Sequence, residues 1–195
     1  MLIYYYLQPD LANLTRDNFF YRGLNKMPER LLSPCTLQFM SPQLINIAIV
    51  LTTFCIMEFV AWFTHKYVMH GLGWYFHKDH HQPEPGFFEK NDAFFLIFAI
   101  PSMILIYLGV MNEMDFRFYI GLGIAIYGFA YFLVHDIFIH QRFNLFRRSN
   151  NIYLRAIRKA HKVHHKHLGK EEGECFGMLI VPFKYFREAL KNANA

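Results

Sequence analysis

Three apolar stretches, each about as long as a membrane span, constrain the fold of this chain more than any other feature. Residues 44–63, 93–110 and 118–134 are almost entirely apolar and contain 20, 18 and 17 residues. About 20 apolar residues in a helix cross the hydrocarbon core of a bilayer. In a chain that is 54% hydrophobic and 18% aromatic, such runs predict an all-α integral membrane helical bundle with about three to four spans.

The first 40 residues differ from the rest, because they are polar and aromatic and prolines interrupt them. We therefore expect two parts: an N-terminal extension of unknown role at 1–40 and a membrane-embedded domain at 41–195. We hypothesise that residues 1–39 are peripheral to function and that Met40 is the natural start, the alternative being a re-entrant or interfacial tail. N-terminal sequencing of the native protein tests this, and a mature chain beginning at Met1 would contradict it.

Ten of the 11 histidines fall into four clusters whose spacing alternates. Leaving one polar group buried without a partner costs roughly 2–7 kcal/mol, so ten would exceed the roughly 5–15 kcal/mol that stabilises a domain. Imidazole is the commonest metal ligand among side chains, and the repeat predicts a site for two metal ions with about five ligands each. H-x4-H is formed by His65 and His70 and again by His135 and His140; H-x2-H-H is formed by His77, His80 and His81 and again by His161, His164 and His165.

The two spacings behave differently on an ideal α-helix. The three histidines of each H-x2-H-H cluster lie within an arc of about 100° and share one face. The two histidines of each H-x4-H pair diverge by about 140°. Two alternatives follow for these pairs: the helix frays or bulges so that both rings reach one ion, or each ring binds a different ion.

The order of the spans places all four clusters on one side of the membrane. The first apolar run ends at His65, and the second and third form a hairpin whose return leads to His135. Residues 142–191 contain 12 Lys or Arg, so the positive-inside rule makes this side cytoplasmic. The same basic region contains no recognised nucleic-acid motif, and we expect membrane lipids rather than nucleic acid as its surroundings.

Three acidic residues are candidates for supporting the histidines. Glu58 lies within a span, seven residues before His65, where an ionisable group suggests a functional role; it could orient a ligand, line a substrate channel or pair with another helix. Asp79 and Asp136 flank histidines and could accept an imidazole N–H. Both could equally be solvated loop acids.

The ligand types narrow the chemistry without fixing the metal. Imidazole without thiolate admits Zn, Fe, Cu or Ni, and structural zinc needs only four ligands and no repeat. A membrane metal transporter or storage protein is a remote alternative, although a transporter should place ligands along a pathway within the spans. The zinc-protease motif H-E-x-x-H does not occur in the sequence.

The ordered set of four clusters resembles the fatty acid hydroxylase superfamily of integral-membrane di-iron oxygenases. The residues between the histidines are similar to those of the bacterial β-carotene 3-hydroxylases, and the resemblance extends from about residue 40 to residue 191. It rests on HKYVMHG at 65–71, HKDHHQP at 77–83, HDIFIHQRF at 135–143 and AHKVHHKHLGKEEGECFG at 160–177.

The resemblance implies an enzyme that hydroxylates the β-ionone rings of β-carotene at C3, giving β-cryptoxanthin and zeaxanthin. It also implies that the ten clustered histidines hold two non-haem Fe ions, that O2 is the co-substrate, and that a ferredoxin-type donor supplies electrons. The lipophilic carotenoid would reach the site from the bilayer of the cell inner membrane. The same site in a fatty acyl or sterol hydroxylase or desaturase is the alternative.

Overall fold

The structure, a computed structural model, describes residues 41–143, 145 and 149–193, and the predictions about residues 1–40 lie outside this part of the chain. The described residues form helices and loops without a strand, which confirms the all-α prediction. The described residues contain six α-helices: α1 Pro42–Phe63, α2 Trp74–His81, α3 Ala93–Val110, α4 Phe116–Phe132, α5 Ile152–His164 and α6 Phe183–Lys191. Two π-helical segments, π1 Thr64–Leu72 and π2 Leu133–Ile139, directly continue α1 and α4, and a 3-10 turn at Lys90–Asp92 precedes α3.

In the part of the chain that the structure describes, three helices are long and apolar enough to cross a membrane. They are Pro42–Leu72 with 31 residues, Lys90–Val110 with 21 and Phe116–Ile139 with 24. Only 11%, 17% and 33% of the residues in the three apolar windows are buried inside the protein, as expected where lipid replaces the protein interior. This confirms a membrane helical bundle, with three spans among the described residues.

Local signals start these helices where the apolar runs begin. The Ser41 hydroxyl accepts a hydrogen bond from the backbone N–H of Leu44 at 3.4 Å, and Pro42 occupies the first turn. The Asp115 carboxylate likewise accepts from the backbone N–H of Arg117 at 3.1 Å. Both are standard ways to satisfy the first N–H groups of a helix. The short turn before Asp115 makes α3 and α4 the predicted hairpin.

Small residues let α4 pack closely against both other spans. A Cβ atom at Gly123 would lie 2.7 Å from Cβ of Thr53 and 2.9 Å from the carbonyl oxygen of Val50, both on α1. On the α3 side, the Ser102 hydroxyl donates a hydrogen bond to the Gly121 carbonyl at 2.8 Å. Close backbone approach of this kind is how membrane helices associate, since lipid gives them no hydrophobic driving force.

We expect Gly123→Val to lower the free energy of unfolding by about 1–3 kcal/mol, because the added side chain must push α1 away from α4. Thermal denaturation in detergent measures this effect. Gly128→Ala, on the same helix, is the matched control, since a Cβ atom there would meet nothing within 4 Å. An unchanged melting temperature in the Gly123→Val protein would contradict the packing argument.

Helices α5 and α6 pack on the histidine end of the spans. Their apolar faces bury Ile157, Tyr185 and Ala189 together with Phe138 and Ile139 from π2. Arg158 of α5 donates a hydrogen bond to the Phe138 carbonyl at 2.8 Å, and its guanidinium lies 3.8 Å from the centre of the Phe138 ring. The third span therefore positions α5, which bears the last histidine cluster.

Candidate metal centre

The ten clustered histidines converge at one end of the spans and form two adjacent groups. In each group the potential ligand atoms lie within 4.8 Å of one another. The His81 and His165 rings, one from each group, stack with centroids 4.5 Å apart. The first group contains His65, His70, His77, His81 and His164, and the second contains His80, His140, His161 and His165.

His135 adjoins the second group as its fifth imidazole. Its ring centroid lies 4.5 Å from that of His140, 4.8 Å from His80 and 4.9 Å from His161. The side chain is buried. His135 therefore packs against the second group, although its ligand atoms lie outside the set that is within 4.8 Å of one another.

The π-helical segments explain how the H-x4-H pairs converge. An i→i+5 hydrogen bond brings residue i+5 one turn above residue i, and the backbone N–H of His140 donates to the His135 carbonyl at 2.9 Å. In π1 the rings of His65 and His70 lie 5.3 Å apart and join the same group. Both pairs lie in bulged, π-helical segments or directly at their end, and in the first pair both rings join one group of ligand atoms.

Each H-x2-H-H cluster divides between the two groups. In α2, His77 and His81 are four residues apart and join the first group, whereas His80 points to the second. In α5, His161 and His165 join the second group and His164 the first. The first two clusters along the chain therefore contribute His80 to the second group, and the last two contribute His164 to the first group. Neither group can assemble without both halves of the sequence.

Outer hydrogen bonds fix the proton on Nδ1 for six of the histidines. In each case Nδ1 faces a carbonyl or carboxylate oxygen, which can only accept, so Nδ1 must donate. This leaves Nε2 with a lone pair that points into the group, as a metal ligand requires. The pairs are His65 with the Phe176 carbonyl at 3.1 Å, His70 with the Lys170 carbonyl at 3.0 Å, His77 with the Asn91 amide oxygen at 2.7 Å, His80 with Glu89 at 2.8 Å, His81 with the His167 carbonyl at 3.0 Å and His164 with the Glu174 carbonyl at 2.8 Å.

The Nε2 atoms of the first group lie so close to one another that a cation between them would be stabilising. His164 Nε2 lies 3.3 Å from Nε2 of His70 and 3.1 Å from Nε2 of His81, and those of His65 and His77 are 3.2 Å apart. With the protons on Nδ1, each contact opposes two lone pairs, and a metal ion removes that repulsion.

In the second group, a set of buried ring nitrogens without hydrogen-bond partners among the described residues indicates a bound ligand. Nε2 of His80, Nε2 of His165 and Nδ1 of His135 are buried, and the described part of the protein offers them no hydrogen-bond partner. Buried polar atoms normally have a partner. The donor set therefore fits metal ions in both groups.

Burial keeps the histidines neutral, which metal binding requires. It lowers the pKa of His77 and of His165 to about 2, that of His164 to about 3 and that of His81 to about 4. Desolvation is the largest cause for each, and repulsion from neighbouring imidazolium groups adds to it. All four are unprotonated at neutral pH.

We expect the metal centre to be lost on acidification below about pH 6.5. A histidine whose folded pKa lies below its unfolded value of about 6.5 binds more protons when unfolded, so stability is present above that pH and falls as pH decreases. The loss amounts to up to about 1.4 kcal/mol per pH unit for each such histidine. Metal content after dialysis between pH 7.5 and pH 5 measures it, and full retention at pH 5 would contradict the expectation.

Glu58 does not contact a histidine among the described residues, in contrast to one of the predicted roles. One carboxylate oxygen accepts hydrogen bonds from the backbone N–H groups of Met178, Leu179 and Ile180 at 3.0, 2.8 and 2.9 Å. The other accepts from the Tyr127 hydroxyl at 2.7 Å. The buried carboxylate joins two spans to the loop that follows the last histidine cluster.

Asp79 and Asp136 also lie beside the histidines without a hydrogen bond to them. Asp79 accepts from the backbone N–H of Lys90 at 2.5 Å and so holds the 3-10 turn before α3. Asp136 lies 3.6 Å from Nδ1 of His135 and 3.5 Å from the Arg142 guanidinium. At these distances the interactions of Asp136 are electrostatic.

The sequence did not predict the residues that accept hydrogen bonds from Nδ1 of the H-x2-H-H histidines on α2. Glu89 accepts from His80, Asn91 accepts from His77, and Arg142 lies 3.3 Å from Glu89. The signal was the polar stretch immediately before the second apolar run. These residues do not share the histidine spacing and were not predicted as part of the site.

An apolar cavity of about 600 Å³ leads from the spans to both histidine groups. Its wall includes His65 of the first group and His135 beside the second. A volume of this size is typical of a ligand pocket. All three spans contribute to it, and its apolar lining includes Met57, Phe94, Phe98, Ile106, Ile124 and Phe132.

Comparison with known proteins assigns the family. The sequence pattern described as "Fatty acid hydroxylase" matches residues 50–184. The chain belongs to the fatty acid hydroxylase family. All ten clustered histidines lie within the matched residues, as do the second and third spans and most of the first.

Curated relatives of this chain have names that refer to carotene. A "Beta-carotene hydroxylase" of Pantoea ananas is 42% identical over 70% of this chain and 78% of its own length. One of Pseudescherichia vulneris is 40% identical over 71% and 78%. A "Beta-carotene 3-hydroxylase 2, chloroplastic" of Arabidopsis thaliana is 38% identical over 65% of this chain and 42% of its own length. No solved structure matches the chain.

Proposed function

We propose that this chain hydroxylates the β-ionone rings of β-carotene at C3, giving β-cryptoxanthin and then zeaxanthin. The observation that best supports this is the apolar cavity between the spans, whose wall includes one histidine from each H-x4-H pair. The identity to proteins named for carotene hydroxylation supports the choice of substrate.

The protein's own residues bind and orient the substrate. Aromatic and aliphatic side chains of the three spans surround one ring and exclude water from it, and the walls hold the ring beside His65 and His135. Because the cavity lies within the spans, a carotenoid dissolved in the bilayer reaches it without crossing water. Polar residues of the wall include Asn91, Asp92 and Asp136, and Asn91 accepts a hydrogen bond from His77.

The metals proposed are two non-haem irons, one in each group of imidazoles. When bound, they supply the reduction of O2 and the transfer of one oxygen atom to the C–H bond. Each turnover converts R–H, O2, two electrons and two protons into R–OH and water. We expect metal analysis of protein purified from iron-supplemented cells to find about two irons per chain; zinc at two equivalents would contradict the redox assignment.

A ferredoxin-type protein is the proposed electron donor, and the cytoplasmic face of the inner membrane is the proposed side. Lys159, Lys162 and Lys166 are exposed on α5 and its C-terminal end, close in sequence to the last histidine cluster. An acidic donor is attracted to such a surface, and the attraction weakens with salt. We therefore expect donor-dependent turnover to fall as ionic strength rises.

Expression in a β-carotene-producing bacterium tests the function. Zeaxanthin, with β-cryptoxanthin as intermediate, is the expected pigment. Unchanged β-carotene, with the protein confirmed in the membrane and a reductant present, would contradict the proposal. In that case altered fatty acids or sterols in the same cells would identify the related acyl or sterol hydroxylase.

A further inference from the structure

A single loop supplies most of the outer hydrogen bonds of the first histidine group. Backbone carbonyls within residues 167–176, which we name the carbonyl loop, accept from Nδ1 of four of the five histidines in that group. The four carbonyls belong to His167, Lys170, Glu174 and Phe176. The position of this backbone therefore sets the tautomer and the orientation of these ligands.

The carbonyl loop is held from inside the membrane. Glu58, buried in the middle of the first span, accepts three consecutive backbone N–H groups at 178–180, immediately after the loop. Gly177 permits the tight turn, since a Cβ atom there would lie 2.5 Å from the Ile180 carbonyl oxygen. The hydroxyl of Tyr127 donates to Glu58 and so connects the third span to the same point.

The second histidine group has a different outer support. In the described part of the chain, its Nδ1 hydrogen bond to a non-histidine residue is that from His80 to the carboxylate of Glu89. Glu89 precedes α3 and is held by Arg142 at 3.3 Å. Among the described residues, the hydrogen bonds and ion pairs of Glu89 and Arg142 do not include Glu58, whose hydrogen bonds go to Tyr127 and to the backbone at 178–180.

We propose that Glu58 is a positioning residue for one metal ion only, the ion of the first histidine group, and acts through the carbonyl loop. This inference rests on the proposed two-iron centre. Hydrogen bonds to a charged carboxylate are roughly twice as strong as neutral ones, so the carboxylate fixes the loop more firmly than an amide would. If the carbonyl loop is loosened, the four first-group histidines that it orients are released, whereas the ligands of the second group stay in place.

The test measures release of iron from purified, iron-loaded protein to a coloured ferrous-iron chelator. In Glu58→Gln, which keeps the shape and one acceptor oxygen, we expect one of the two irons to leave about tenfold faster and the other to leave at its wild-type rate. Gly177→Ala disturbs the same turn while leaving Glu58 intact, and the same selective acceleration is expected. Ser102→Ala removes a buried hydrogen bond between spans and is the control expected to change neither rate.

Two backgrounds identify which iron is affected. With His135 and His140 replaced by alanine, iron remains in the first group, and Glu58→Gln is expected to accelerate its release. With His65 and His70 replaced, iron remains in the second group, and the rate is expected to be unchanged. Equal acceleration of both irons, or of neither, in both test variants would overturn the positioning role. Wild-type protein that binds fewer than two irons would instead overturn the proposed di-iron function.

Discussion

His164→Ala is expected to abolish hydroxylation, lowering product formation at least about a thousandfold, because the chemistry depends on the metal. The His164 side chain is fully buried, and its Nε2 lies within 3.3 Å of Nε2 of both His70 and His81. Its loss leaves the first group without its only ligand from α5. We expect iron content to fall from about two to about one per chain.

His167→Ala is the matched control for this prediction. The residue lies three positions later, and its side chain belongs to neither group. Only its backbone carbonyl supports the site, by accepting from His81, and alanine keeps that carbonyl. Pigment analysis and metal content measure both variants. Product formation by the His164→Ala protein near the wild-type rate would remove His164 from the ligand set.

Gly128→Phe is expected to lower kcat/KM for β-carotene at least about a hundredfold while leaving two irons bound, since a filled pocket rejects substrate by steric exclusion. Gly128 lines the apolar cavity, and the space beyond it is open. A phenyl ring at this position occupies the volume assigned to the carotenoid without displacing backbone.

Ile126→Phe is the control for the cavity prediction, because Ile126 is exposed on the same helix and is not part of the cavity wall. Turnover of β-carotene by membranes containing each variant gives the comparison. Wild-type turnover in the Gly128→Phe protein would show that the substrate binds elsewhere. Loss of iron in that variant would point to a folding defect instead of blocked substrate binding.

The spans and the ligand histidines were predictable because each depends on a local property. A bilayer selects for runs of about 20 apolar residues, and the repeated spacing of His77, His80 and His81 places them on one helical face regardless of the partner. The same spacing also indicated two ions. The bulges at His65–His70 and His135–His140 were one of two alternatives, since helix type in the last turns depends on packing.

The pairing of histidines across the two halves was not predictable from spacing. His164 joins His70, 94 residues away in sequence, and His81, 83 residues away. Such contacts depend on how α2 and α5 approach each other, and the periodicity of one helix says nothing about its partner. The supporting roles of Glu89 and Asn91 were missed for another reason: they lie only 9 and 14 residues from the histidines they bind, but they do not share the histidine spacing.

The order of residues along the chain thus determines where helices start and stop, which of them enter the bilayer and which side chains can bind metal, because these follow from interactions over a few residues. Only the tertiary structure decides which ion each imidazole can bind and which backbone carbonyls orient it. The role of Glu58 also depends on contacts between distant segments. Glu58 binds backbone 122 residues further on, and a carboxylate inside a span acquires its role from the groups that folding brings to it.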